Sequence, residues 1–132
     1  MSVIVRDTGF APEDFTGVAV EVPPTTAPEA LAGLIAGAEL VKVLFPSFSD
    51  GRGFTLGRLI RDAGYTGRLR ASGPIIADQY GMARRSGFDE VEIPDDLAAR
   101  QGEAQWRARA DWQAHDYRAR LFGAPARPVA TA

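Results

Sequence analysis

The sequence predicts a single α/β domain of about four strand-helix units forming a mostly parallel sheet, followed by a long C-terminal helix. Three observations carry that prediction. Short β-branched and apolar runs alternate with stretches in which apolar residues recur at helical spacing. Two of those stretches end alike, in Arg61-Asp62-Ala63-Gly64-Tyr65 and Arg84-Arg85-Ser86-Gly87-Phe88, where glycine reverses the chain and the next aromatic packs back on the helix. The 132 residues, 45% hydrophobic and 24% charged, are enough for one hydrophobic core and not for two.

Residues 1–17 form an N-terminal extension or edge strand, in which Val3-Ile4-Val5 reads as β and the glycine- and proline-containing part reads as loop. The main domain spans 18–122. It opens with the strand Val18-Ala19-Val20-Glu21-Val22, stopped by Pro23-Pro24. Thr25 and Thr26 are placed to cap a helix over residues 28–36. The run Leu40-Val41-Lys42-Val43-Leu44-Phe45 is nearly continuous in apolar character, as in a strand covered on both faces or set in a barrel wall. Residues 55–63 form the next helix, with Leu56, Leu59, Ile60 and Ala63 on one side and Gly64 as its stop. Arg68-Leu69-Arg70-Ala71 is the third strand, residues 75–86 its helix, and Glu90-Val91-Glu92-Ile93 the fourth strand. From Asp95 to Leu121 a long helix is expected, with Trp106, Ala110, Gln113, Tyr117 and Leu121 along one stripe and Trp112 off it. Residues 123–132 are a flexible tail.

Alternating units imply parallel strands joined by right-handed crossovers, in either an open three-layer sheet or half of a (βα)8 barrel. Both arrangements gather the segments that follow each strand on one edge, where ligands of parallel α/β folds bind.

Composition removes several functional classes. A formal charge of −2, from 15 Lys plus Arg against 17 Asp plus Glu, provides no global field for nucleic acid. Lys42 is the only lysine. With no cysteine there is no disulfide, thiolate metal site or thiol nucleophile, and no metal site is expected. No apolar run reaches the roughly 18 residues of a membrane span, and no signal peptide opens the chain, so a cytoplasmic location is expected.

On the ligand edge, Ser47, Ser49, Asp50, Gly51, Arg52 and Gly53 combine hydroxyls, a carboxylate, a guanidinium and glycines ahead of a helix. These are the ingredients of a site for a small anion: amides approach through glycine, and Arg52 can grip phosphate, sulfate or carboxylate with two bonds. The following loop adds Ser72, Gly73, Asp78 and Gln79. Asp50 and Asp78 are the candidate proton-handling groups. Ordinary roles fit the same residues, with Asp50 as helix cap and partner of Arg52 and the glycines as turn residues. Lys42, inside an apolar strand, is either a lysine reaching solvent at the sheet edge or a group with a lowered pKa. Trp112 and His115, on the outer side of the last helix, form a candidate partner-binding patch, unless the N-terminal segment covers Trp112. A lone His115 away from the loops supports neither a triad nor a metal cluster. No flavin, nicotinamide or siroheme fingerprint is present, so no cofactor is evident.

Over residues 18–93 the chain resembles a bacterial family catalogued as a domain of unknown function, number nine-three-four in its series. Its members carry an oxidoreductase label tied to sulfite reduction. The resemblance rests on the blocks Phe45 to Phe54, Leu69 to Gly73, Asp78-Gln79 and Gly87-Phe88-Asp89-Glu90. It implies neighbouring genes for sulfite reductase and phosphoadenylyl-sulfate reductase. Many relatives carry a cysteine immediately before the Gly-Phe-Asp block, where this chain has Ser86, which argues against a shared thiol mechanism. The expected function is an accessory role in assimilatory sulfate and sulfite reduction, docking on sulfite reductase or another enzyme of that route, or binding a small oxyanion. The alternative is a ligand-binding domain or enzyme acting on a phosphorylated or sulfonated metabolite. A homodimer is a further expectation, from spare aromatics and half-barrel winding.

Overall fold

The computed structural model describes residues 2–112. Six strands form one sheet: β1 (Ser2–Arg6), β2 (Gly9–Ala11), β3 (Val20–Val22), β4 (Leu40–Leu44), β5 (Arg68–Ser72) and β6 (Glu90–Pro94). Between and after them lie α1 (Leu31–Ile35), α2 (Arg52–Asp62), α3 (Tyr80–Arg85), α4 (Asp95–Arg100) and α5 (Glu103–Arg107), with 3-10 turns at Pro28–Ala30 and Ala77–Gln79. The sheet order is β2-β1-β6-β5-β4-β3, parallel from β3 to β6 and antiparallel where β1 joins β6 and β2. The segment before residue 18 thus supplies an interior strand, β1, as well as the edge strand β2.

This order decides the layering. Strands β3 to β6 step along the sheet in one direction, and right-handed crossovers between them must all pass over the same face. The core accordingly joins helix residues such as Leu31, Ile35, Phe54, Ile60, Tyr80 and Trp106 to one face only, through Val5, Val22, Val41, Val43, Leu69, Ala71, Val91 and Ile93. Among the described residues the fold is therefore two-layered, with no third layer of helices on the other face. It has the winding of a barrel segment, but the sheet stays open.

Because side chains alternate along a strand, the other face receives Lys42, Arg70 and Glu90 in adjacent register, with Arg6, Arg68 and Glu92 beside them. The reading of β4 as covered by helices on both faces is corrected here: one face meets helices, the other meets charge.

The long C-terminal helix is also corrected. It breaks at Gln101, which is extended at φ −119 and ψ 90, and α5 restarts after Gly102. The break lets Trp106 turn inward: its indole Nε1 donates to the Gln101 carbonyl at 3.0 Å, and its ring meets Tyr80 edge-on at 6.2 Å. Leu97 and Trp106 are both buried this way, and glycine at 102 makes a continuous helix less favourable by about 1 kcal/mol relative to alanine. Gln113, His115, Tyr117, Leu121 and the tail lie outside the described residues.

Smaller differences concern helix starts. Thr26 closes a turn onto Pro23 rather than capping the first helix. Helix α2 begins three residues early, at Arg52. Helix α3 begins late, because Gly73 at φ 143 and the buried Ile75 hold the chain extended before the 3-10 turn.

Candidate functional site

The loop between β4 and α2 is held by its own side chains. Ser47 and Ser49 share a hydroxyl hydrogen bond of 3.0 Å. Asp50 accepts from the Arg52 backbone amide at 3.1 Å, from Nε at 3.0 Å and from Nη2 at 2.6 Å. These bonds from Arg52 hold the Asp50 carboxyl below its ordinary range, so it stays an anion.

The glycines divide by role. A Cβ on Gly53 would sit 2.4 Å from the Phe45 ring, so its small size serves packing between α2 and the core. Gly51 is the residue before α2 and faces open space. Gly73 donates to the Glu92 carbonyl at 2.9 Å, and a Cβ there would lie 2.0 Å from the Phe45 carbonyl oxygen. Ser72 accepts through its carbonyl from Phe45 N at 2.8 Å.

Gln79 brings the two predicted loops together. Its Oε1 accepts from Ile76 N at 3.1 Å, while its Nε2 donates to the Phe48 carbonyl at 2.6 Å. The loop tip is thereby stapled to the start of α3 with the Phe48 ring outside, 55% exposed. Asp78 does not join this cluster by any bond; its carboxylate takes Arg109 at 2.7 Å.

Trp112 points inward. It is 4% exposed, its indole donates to Asp7 Oδ2 at 3.3 Å, and the Arg84 guanidinium lies 4.8 Å from its ring. Asp7 belongs to the turn between β1 and β2, so the N-terminal hairpin covers Trp112, and the partner-binding patch expected with His115 has lost its anchor. Asp7 also receives the Tyr80 hydroxyl; burial first, then this bond, pushes the Tyr80 phenol well above its usual value.

The feature that the sequence reading missed is the charged sheet face. Glu90, fully buried, accepts from Arg6 Nε at 3.0 Å, Arg68 Nη2 at 2.7 Å and Arg70 Nε at 2.6 Å. Glu92 accepts from Ser2 Oγ at 2.7 Å and Arg70 Nη1 at 3.0 Å, and pairs with Lys42 Nζ at 3.0 Å. Lys42 thus stands on an interior strand in an ion pair, and does not reach solvent at a sheet edge. Burial would raise the Glu92 carboxyl, but the bonds from Ser2, Lys42 and Arg70 outweigh it and hold it low.

Residues 12–19 cross this face as a strap without regular structure. Glu13 engages both terminal nitrogens of Arg70, Nη2 at 3.1 Å and Nη1 more closely. Asp14 takes Arg6 Nη2 at 2.9 and 3.0 Å and Arg68 Nη2 at 3.0 Å, and the Phe15 ring lies 5.8 Å from the Arg68 guanidinium. The available sequence signal was Arg68-x-Arg70 and Glu90-x-Glu92: charges at every second place within strands share one face.

Ser86 ends α3 in a buried position, and its hydroxyl has no hydrogen-bond partner among the described residues. A hollow of about 480 Å³, lined by Ile35, Gly37, Ala63, Gly64, Tyr65 and Gly67 among others, lies at the opposite sheet edge from the predicted loops. Among the described residues no group of three or more His, Asp or Glu side chains is placed to hold a metal ion, and no helix is long and apolar enough to cross a membrane.

No curated protein and no solved structure matches the chain. A family model matches residues 19–121, which take in β3 to β6, every described helix and the stapled loop, and on that match the chain belongs to the family described as bacterial protein of unknown function (DUF934).

Proposed function

We propose that this protein is an accessory factor of assimilatory sulfate and sulfite reduction that acts in the cytoplasm by docking on sulfite reductase or another enzyme of that route. The docking element is the stapled loop. One observation carries the reading: Phe48 is 55% exposed at the tip of a loop that Gln79 fixes to α3. An aromatic held outward on a rigid loop binds with little loss of side-chain freedom, and aromatic anchors beside arginine are where interface energy concentrates. Arg52, 55% exposed in its pair with Asp50, then serves as a charge at the rim, and Ser47 and Ser49 as polar surround. The route itself comes from the resemblance carried by residues 45–54, 69–73 and 87–90.

Biolayer interferometry with purified sulfite reductase tests the docking. The wild-type chain is expected to bind and Phe48→Ala to bind at least tenfold more weakly with an unchanged melting temperature. Equal binding by both chains, or none by either, removes this docking assignment. Deleting the gene and comparing growth on sulfate with growth on cysteine tests the route: a defect on sulfate alone is expected.

A further inference from the structure

The strap over the charged face places two carboxylates in the positions that a bound anion would occupy. Arg70 is fully buried yet turns both terminal nitrogens to the two oxygens of Glu13, the fork-to-carboxylate geometry of anion recognition. Arg6 does the same for the two oxygens of Asp14 through one nitrogen, with Arg68 on the second side. Arg68 Nε is buried and has no partner among the described residues, so one donor is left over there.

Charge count indicates what fits. Within the ion-paired cluster the sheet supplies four cations, Arg6, Lys42, Arg68 and Arg70, and two anions, Glu90 and Glu92, with Glu21 exposed beside Lys42 on the same face; the strap adds Glu13 and Asp14, making four against four. Lifting the strap leaves four against two, an excess of two positive charges. Buried charge needs a partner, so the natural replacement carries two negative charges. The strap is also easy to displace. From Pro12 to Val18 every residue but Phe15 is exposed, so few apolar contacts hold it.

We propose that this face is a binding site for a small dianionic oxyanion, either a tetrahedral one such as sulfate or a short dicarboxylate, and that Glu13 and Asp14 are the internal stand-in it displaces. The site is separate from the Phe48 loop, and its test is indifferent to whether that loop docks.

The full chain and its Glu13→Gln/Asp14→Asn variant are titrated calorimetrically with sodium sulfate, sodium phosphate and sodium malonate, at ionic strength held constant with sodium chloride. The variant is expected to bind sulfate, phosphate or malonate at least tenfold more tightly than the wild type. A preference for sulfate and phosphate identifies a tetrahedral ligand, and a preference for malonate a dicarboxylate. In the wild type, the same anion is expected to speed chymotryptic cleavage after Phe15, followed by mass spectrometry. That measurement decides the matter alone if circular dichroism shows the variant unfolded. Equal affinity in both chains, no binding beyond that of chloride, or unchanged cleavage after Phe15 overturns the proposal.

Discussion

Replacing Glu90 by glutamine removes one negative charge from the middle of the charged face at nearly constant volume. In the wild type, Oε2 accepts from Arg68 at 2.7 Å and Arg70 at 2.6 Å, while Oε1 accepts from Arg6 and Arg68, each at 3.0 Å. A glutamine amide must turn its NH₂ toward one of these groups of guanidinium nitrogens. A donor then faces donors, and three arginines lose their shared counter-charge at a position with no exposed surface. Removing one partner of a buried ionic cluster costs about 3–5 kcal/mol. The lower end applies here, because Arg6 and Arg68 keep 21% and 23% of their side-chain surface in water. At roughly 4 °C per kcal/mol for a domain of this size, the melting temperature should fall by about 12 °C. Urea unfolding followed by circular dichroism is the assay, and the midpoint should move while the slope stays constant. Asp50→Asn is the control, since it breaks an exposed ion pair and should leave the midpoint unchanged. If Glu90→Gln moves the midpoint no more than the control does, the charged face is not a cooperative network.

Trp112→Ala should destabilise the chain by about 3–5 kcal/mol, seen as an earlier urea midpoint, because the indole is buried against Asp7 and Arg84; a surface anchor would instead leave stability intact. Ser86→Ala should raise stability by about 1 kcal/mol in the same assay, since it removes a buried hydroxyl with no bonding partner among the described residues. Glu13 is held below its ordinary pKa first by the Arg70 bond; Asp14 and Glu92 are also low, because their cationic partners outweigh burial. Carboxylates with depressed folded pKa values contribute stability above their unfolded values of about 4, and that stability is lost as pH falls through the folded values. Acid unfolding should therefore begin below about pH 4, and Glu13→Gln/Asp14→Asn should flatten that acid limb.

Legibility in the sequence followed the range of the signal. Three of the four strands were readable within a residue and the first was read two residues too long at its start, because apolar runs bounded by proline and glycine reflect local backbone preference and one-sided burial, while the apolar Val18 is exposed. The stops at Gly64 and Gly87 were readable because left-handed φ values, 98 and 109, select glycine whatever surrounds them. The helix from Asp95 was misread because Gln101 is not itself a breaker. It unwinds so that Trp106 can reach Tyr80, a contact made across 26 positions of sequence. Within the candidate site, the sequence assembled the right residues at the loop but could not tell a free Arg52 from one already bound to Asp50.

By itself the sequence determined an α/β chain of alternating units, the stops of two helices at Gly64 and Gly87 and the loop Phe45 to Phe54, because periodicity, glycine and proline act within a few residues. Tertiary structure alone decided that every described helix lies on one face, that Trp112 turns inward, and that Arg6, Lys42, Arg68, Arg70, Glu90 and Glu92 share the other face beneath Glu13 and Asp14. Those outcomes depend on strand order and register. A one-residue shift in pairing would send each of those side chains to the opposite side of the sheet, and that choice is made only when distant strands meet.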